Sequence, residues 1–197
     1  MGFVLKDMKR EHVLAALAYG FFLAVTSVTL WGGYLRFLPG SESPDFLVLE
    51  YFARSAALPV SLAVSGVVAF RHPKARRWRS PVLSWALFLA GALLAALRHS
   101  GLVLPEWSLV AAGACFGWGS GLMFGALQEV VAAQKVFTAG IVVFAAAGIS
   151  ALLFFAVEAL PTNVAPWASL FALAPAAVLL ARAAWTCAPK VPPLFDT

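Results

Sequence analysis

The sequence predicts an all-α polytopic membrane bundle of six transmembrane helices, and three observations carry that prediction. Of the 197 residues, 62% are hydrophobic and only 12% charged, against roughly 45–50% apolar and about 25% charged in a soluble domain. The apolar residues are gathered into six runs, each near the ~20 residues that a spanning helix needs. Prolines, glycines and charges collect between the runs, where turns belong. This composition excludes an ordinary cytosolic globule. It also excludes disorder, which needs few apolar residues and much charge. The runs are continuous rather than alternating, so they read as helices and not as barrel strands. Six spans and their connections use the whole length, which leaves no room for a soluble catalytic or DNA-binding domain.

Residues 1–12 read as a cytoplasmic N-terminal segment, and 13–187 as the six-helix membrane domain. The first run, 13–35, follows Lys6, Lys9 and Arg10. It is longer than a signal-peptide core and continues through Trp31, Gly32, Gly33 and Tyr34 without a cleavage site, so it reads as an uncleaved anchor. Pro39, Gly40, Ser41 and Pro44 mark the turn before run two, 47–70. A basic loop, 71–79, leads to run three, 81–98. Ser100, Gly101 and Pro105 break the chain before run four, 107–131. Gln134 and Lys135 precede run five, 136–160, and Pro161-Thr162-Asn163 precedes run six, 165–186. Residues 188–197 form a proline-rich tail on the cytoplasmic side.

Orientation follows from the cations. With the N-terminus inside, Lys6, Lys9, Arg10, Arg71, Lys74, Arg76, Arg77, Arg79, Lys135, Arg182 and Lys190 fall on the cytoplasmic side, eleven of the 14. Only Arg36 and Arg98 fall outside, and Arg54 lies within span two. Such a bias in short loops sets both termini in the cytoplasm. The net charge of +5 therefore describes orientation rather than a nucleic-acid partner. The loop residues Arg71, Lys74, Arg76, Arg77 and Arg79 read as the topology anchor, in reach of anionic lipid.

Span four carries the sharpest local pattern. Gly113, Gly117, Gly121 and Gly125 recur every four residues. At ~100° per residue the stripe slants about 40° per step, which suits a right-handed close helix crossing. Gly119 adds a second small face. The ladder reads as helix packing, with a sliding or cavity-lining helix as the alternative.

Glu50 and Arg54 stand four apart in span two, on one helix face and in the favourable order. They read either as a self-neutralising pair that snorkels outward or as a ligand contact, with Arg54 suited to an anionic group. Pro59 in span two and Pro175 in span six each remove a backbone hydrogen bond and predict kinks. Gln128, Glu129, Glu158, Arg98 and His99 fall near interfaces and read as surface charge. His12, His72 and His99 lie in separate segments, so no metal site is expected, and Cys115 and Cys187 are not expected to pair. No catalytic motif is present. The expectation is therefore a non-enzymatic chain without cofactors.

Two resemblances add to this reading. Six helices, both ends inside, and the basic Arg76-Arg77-Trp78-Arg79 between spans two and three resemble one half of a major-facilitator transporter; only the basic part of that family's loop signature stands here. Spans three and six share a loose pattern, Ala86 to Arg98 against Ser169 to Arg182, as an inverted three-plus-three repeat would require. More narrowly, Gly113-Ala-Cys-Phe-Gly-Trp-Gly-Ser-Gly-Leu-Met-Phe-Gly-Ala-Leu-Gln128 is similar to the Gly-rich fourth span in the membrane-embedded part of actinobacterial LuxR-type regulators. That likeness implies a sensory, non-transporting membrane module in the bacterial inner membrane, without the DNA-binding head. Its expected partners are the bilayer, a second copy or second six-span half, and a separate regulator, with no direct contact to nucleic acid. The alternative expectation is a small transporter working as a dimer of six-span halves.

Overall fold

A computed structural model describes residues 9–30, 44–71, 81–99, 105, 107–161 and 164–187. Every element among them is helical. Helix α1 spans Arg10–Leu30, α2 Pro44–Arg71, α3 Pro81–His99, α4 Trp107–Ala132 and α5 Val136–Glu158. The sixth helical stretch has three consecutive pieces: α6 Ala165–Ala168, a π-helical turn Ser169–Leu173, and α7 Ala174–Cys187. The end of the first predicted run, the connection 38–43, the loop residues Lys74, Arg76, Arg77 and Arg79, and the tail lie outside the described residues.

Among the described residues, four helices are long and apolar enough to cross a membrane: Arg10–Val28, Val48–Val68, Trp107–Ala132 and Val136–Glu158. The apolar parts of the other two, Pro81–Leu94 and Phe171–Ala184, are shorter. Burial separates the four. Half of the α1 window and 61% of the α4 window are buried, against 17% for α2 and 22% for α5. Helices α1 and α4 are therefore central, while α2 and α5 turn large apolar side chains outward, among them Phe52, Phe70, Phe144 and Phe155. Such faces are stable only against lipid or another apolar surface.

The helix pairs form two groups of three. Helix α4 packs most extensively on α2 and α3, and α1 on α5 and α7. Exchanging the first three helical stretches for the last three maps this pairing onto itself. Two clusters of buried side chains form successive layers along the bundle. One holds Ala24, Val25 and Val28 of α1 with Phe116 of α4 and Leu173 of the π turn. The other holds Ala15 to Phe22 of α1, Met123 to Val131 of α4, Val142 of α5 and Ala184 of α7. The start of α1, the α4–α5 turn and the end of α7 consequently share one end of the bundle.

Local chemistry accounts for the helix ends. At the start of α1, the Lys9 N–H donates to His12 Nδ1 over 3.2 Å, and the His12 N–H donates to the Lys9 carbonyl over 2.9 Å. The histidine thus satisfies an otherwise orphaned helix-start donor. Between α4 and α5, Gln134 N–H donates to the Val131 carbonyl over 3.0 Å, and Lys135 stands extended before α5. Helix α2 continues through Pro59, which is exposed and off the face that meets α4. Pro175 has a different consequence. It is the second residue of α7, separated from the π turn by one residue, where the wider spacing gives room for a ring that would otherwise clash with the carbonyl four residues back.

Candidate functional site

The α2–α4 seam begins with the glycines of α4. A Cβ on Gly113 would meet the Glu50 carbonyl oxygen and come within 3.0 Å of the Ala53 Cβ. On Gly117 it would meet the Arg54 carbonyl oxygen and the Ala57 Cβ at 2.8 Å. On Gly121 it would meet Ser61 Oγ, with the Leu58 carbonyl oxygen at 3.0 Å. Three rungs of the ladder therefore bring the α4 backbone directly against α2. The rising order of the paired residues shows that the two helices run parallel. Gly125, the fourth rung, is half-buried.

The second small face of α4 belongs to α3. A Cβ on Gly119 would lie 2.9 Å from the Ser84 carbonyl oxygen, and the Ser84 hydroxyl donates to the Gly119 carbonyl over 2.6 Å. The Ser120 hydroxyl donates to the Phe116 carbonyl over 2.8 Å, within the helix. Gly91 of α3 completes this contact, 3.0 Å from the Ala112 carbonyl and 3.3 Å from the Phe116 ring by the same measure.

Glu50 and Arg54 lie on the glycine-facing side of α2. They are 4% and 3% exposed, so neither snorkels outward. The physical reason is the crossing itself: glycines let α2 approach so closely that side chains on its inner face are enclosed. The Arg54 Cζ stands 5.4 Å from the centre of the Phe116 ring, within cation–π range. Phe116, itself 1% exposed, meets Phe88 of α3 edge-on with ring centres 5.9 Å apart. Arg54 and Glu50 are within electrostatic reach of each other. Glu50 Oε1 is buried without a hydrogen-bond partner, and so is Ser61 Oγ further along the same face. With Ser65, also buried, these residues form a polar stripe on α2 that runs about 22 Å at the rise of an α-helix.

Several features were not legible in the sequence. Gln128 is not simple surface polarity: its Nε2 donates to Tyr19 Oη of α1 over 3.0 Å. Tyr19 is buried and meets Phe124 edge-on at 6.4 Å. This bond joins the two groups of three helices. Gly20 of α1 is a close-contact residue too, since a Cβ there would lie 2.7 Å from Ile149 Cγ2 of α5. A small apolar cavity of about 10 Å³ sits between the groups, lined by residues that include Phe22, Trp85, Met123 and Ala174. It has room for about one water but no polar partner to hold it. Of the sequence-proposed residues, Glu158 is exposed, as is Arg71, which ends α2. No group of three His, Cys, Asp or Glu side chains is placed to hold a metal among the described residues.

The fold and the seam together define the class: an all-helical bundle with several membrane-length apolar helices and a buried acid–base pair at a glycine-lined crossing. Compared with known protein families, with curated proteins and with solved structures, the chain matches none.

Proposed function

We propose that this chain is a multi-pass module of the bacterial inner membrane that senses a ligand or binds a partner, is not an enzyme, and uses the Glu50–Arg54 pair as its sensing contact. In this reading six helices span the bilayer with both termini in the cytoplasm. The excess of Lys and Arg on one side of the predicted topology supports that orientation. The shared position of the α1 start and the α7 end agrees with it. The resemblance of span four to the membrane part of LuxR-type regulators supports a sensory role. The non-enzymatic part of the reading rests on the sequence, which holds no nucleophile–base or metal motif.

One observation carries the proposal. Two charged side chains are buried at helix–helix contact, where the other buried polar side chains among the described residues are serines and Tyr19. Such residues are costly in a membrane and mark function when they face a bundle interior. Their burial also bears on how they work. A group at 4% exposure responds to a ligand by a change in the α2–α4 seam, not by offering an open pocket.

A second reading has its own observation. The exchange of the first three helices for the last three preserves the pairing of the helices, as an inverted repeat does in transporters. A dimer of such six-helix halves would then transport. Photo-crosslinking in native membranes from the outward-facing positions Phe52 and Phe144, combined with uptake assays in proteoliposomes, separates the two. The sensor reading expects a discrete crosslinked partner or dimer and no Arg54-dependent uptake. A strictly monomeric, uncrosslinked chain overturns it. Uptake that disappears in Arg54→Ala at unchanged protein level replaces it with transport.

A further inference from the structure

We infer that Glu50 is a proton-binding site: its buried carboxylate takes up one proton at Oε1, and the protonation state of this side chain is what the α2–α4 seam reports. The inference deepens the sensing role assigned above and rests on that reading.

The starting point is an unsatisfied atom. Glu50 Oε1 is enclosed and has no hydrogen-bond partner. A carboxylate oxygen only accepts hydrogen bonds, so whatever completes it must bring a hydrogen or a positive charge. Leaving such an oxygen ionised and unpaired in an apolar interior is costly. The pairing with Arg54 offsets the charge but does not fill this atom.

Space then limits what can arrive. Beside Glu50 and Arg54 the α2 backbone meets α4 so closely that a single Cβ on Gly113 or Gly117 overlaps a carbonyl oxygen. A side chain already 4% exposed in such a crossing has no room for a hydrated metal ion or an organic cation without separating the helices. A proton needs none. The balance is simple: one proton from water joins the carboxylate, no other bond changes, and the pair passes from net zero to net +1.

The surroundings are set up to feel that change. Among the described side chains of α2, Arg54 and Tyr51 are the ionisable groups near the carboxyl, and Tyr51 acts on Arg54. Helix α4, the element packed most extensively against α2, presents Gly113, Phe116 and Gly117 to this face. Its ionisable residues are Cys115 and Glu129. Cys115 lies about 200° around the helix from Gly113, and Glu129 is more than four turns further along than Gly113. When Glu50 is protonated, the Arg54 guanidinium, 5.4 Å from the centre of the Phe116 ring, loses the countercharge of this carboxylate. That alters the α2–α4 contact at the point where it is tightest.

Infrared difference spectroscopy of the full chain in nanodiscs, stepped in pH, tests this directly. The expected result is a protonated-carboxyl C=O band that titrates in the wild type, disappears in Glu50→Gln and persists in Glu158→Gln. Glu50→Asp, which keeps a carboxyl, is expected to retain a titrating band at a shifted frequency. A wild-type spectrum without such a band, or one unchanged in Glu50→Gln, overturns the inference. At constant pH, a spectral change on adding methylammonium that matches the pH-driven one overturns it in favour of a cation site. The crosslinking test of the sensing module is independent of this outcome. A crosslinked partner without a titrating Glu50 removes the proton site and leaves the module; a titrating Glu50 without any partner does the reverse.

Discussion

Helices α1 and α4 hold equivalent places, each the middle member of a group of three, yet they hold their neighbours by different means. Around α4 the contact is backbone against backbone. Gly113, Gly117 and Gly121 face α2, Gly119 faces α3, and polar groups fill what remains: Ser84, Ser120, Glu50 and Arg54. Around α1 the contact is made by small and branched apolar side chains, Ala15, Ala18, Ala24, Val25 and Val28, with Gly20 as its close glycine. Helix α5, the main partner of α1, carries no charged residue from Val136 to Val157. The difference shows two ways of joining apolar helices, and glycine contact is the one typical of helices that associate without a hydrophobic drive. Glycine contact fixes a register and can enclose charge. Alanine–valine contact is softer and tolerates small changes in volume.

Substitutions can break this comparison, beginning where the effect is largest. Arg54→Ala leaves Glu50 as an uncompensated buried acid. Losing one member of a buried pair costs about 3–5 kcal/mol, so thermal unfolding in detergent should show a large fall in stability. Arg54→Lys should recover only part of it, because the planar guanidinium over Phe116 is not reproduced by an ammonium. A variant as stable as wild type would show that the pair is not enclosed.

Next in size is a matched pair of glycines. Gly117→Ala places a methyl against the Arg54 carbonyl and 2.8 Å from the Ala57 Cβ, and overpacking of this kind costs about 1–3 kcal/mol. Gly148→Ala, on α5, meets nothing within 4 Å and should be neutral or raise stability by up to about 1 kcal/mol through helix propensity. Equal effects at the two positions, by calorimetry or thermal melting, would erase the distinction between the groups. The smallest effect concerns the link between them. Gln128→Leu removes the donor to Tyr19 Oη, and interhelical bonds of this type average about 0.6 kcal/mol in membranes. Tyr19→Phe should cost a similar amount, and the double variant no more than either single one.

Much of the helix layout was legible because hydropathy responds to lipid. Helices Pro81–His99 and Trp107–Ala132 stand over the predicted runs 81–98 and 107–131, and the second has an apolar stretch of membrane length while the first has only Pro81–Leu94. The turn at Gln134 and Lys135 stands where polarity interrupts the runs. Partners were harder to read. A glycine stripe shows that α4 approaches something closely, but nothing in the stripe says that α2 and not α3 meets it. Gly20 stands alone in its helix and gave no pattern. The Tyr19–Gln128 bond joins residues 109 positions apart, and no local signature encodes such a distance. The π turn before Pro175 was visible only as a proline. The enclosure of Glu50 and Arg54 was out of reach for the same reason, since spacing alone put them on one face without saying what that face touches.

The central claim is that the glycine ladder seats α2 on α4 in the register that encloses this pair. A double-mutant cycle at Gly121 and Ser61 tests it most directly, because Ser61 Oγ is the nearest atom to a Cβ placed on Gly121. Gly121→Ala should lower the melting temperature of the purified protein clearly. Ser61→Ala alone should leave it unchanged or raise it, since it removes a buried hydroxyl that has no partner. Combined with Gly121→Ala it should restore most of the loss. Strictly additive effects would mean that the two residues do not meet, and would contradict the seating of α2 on the ladder.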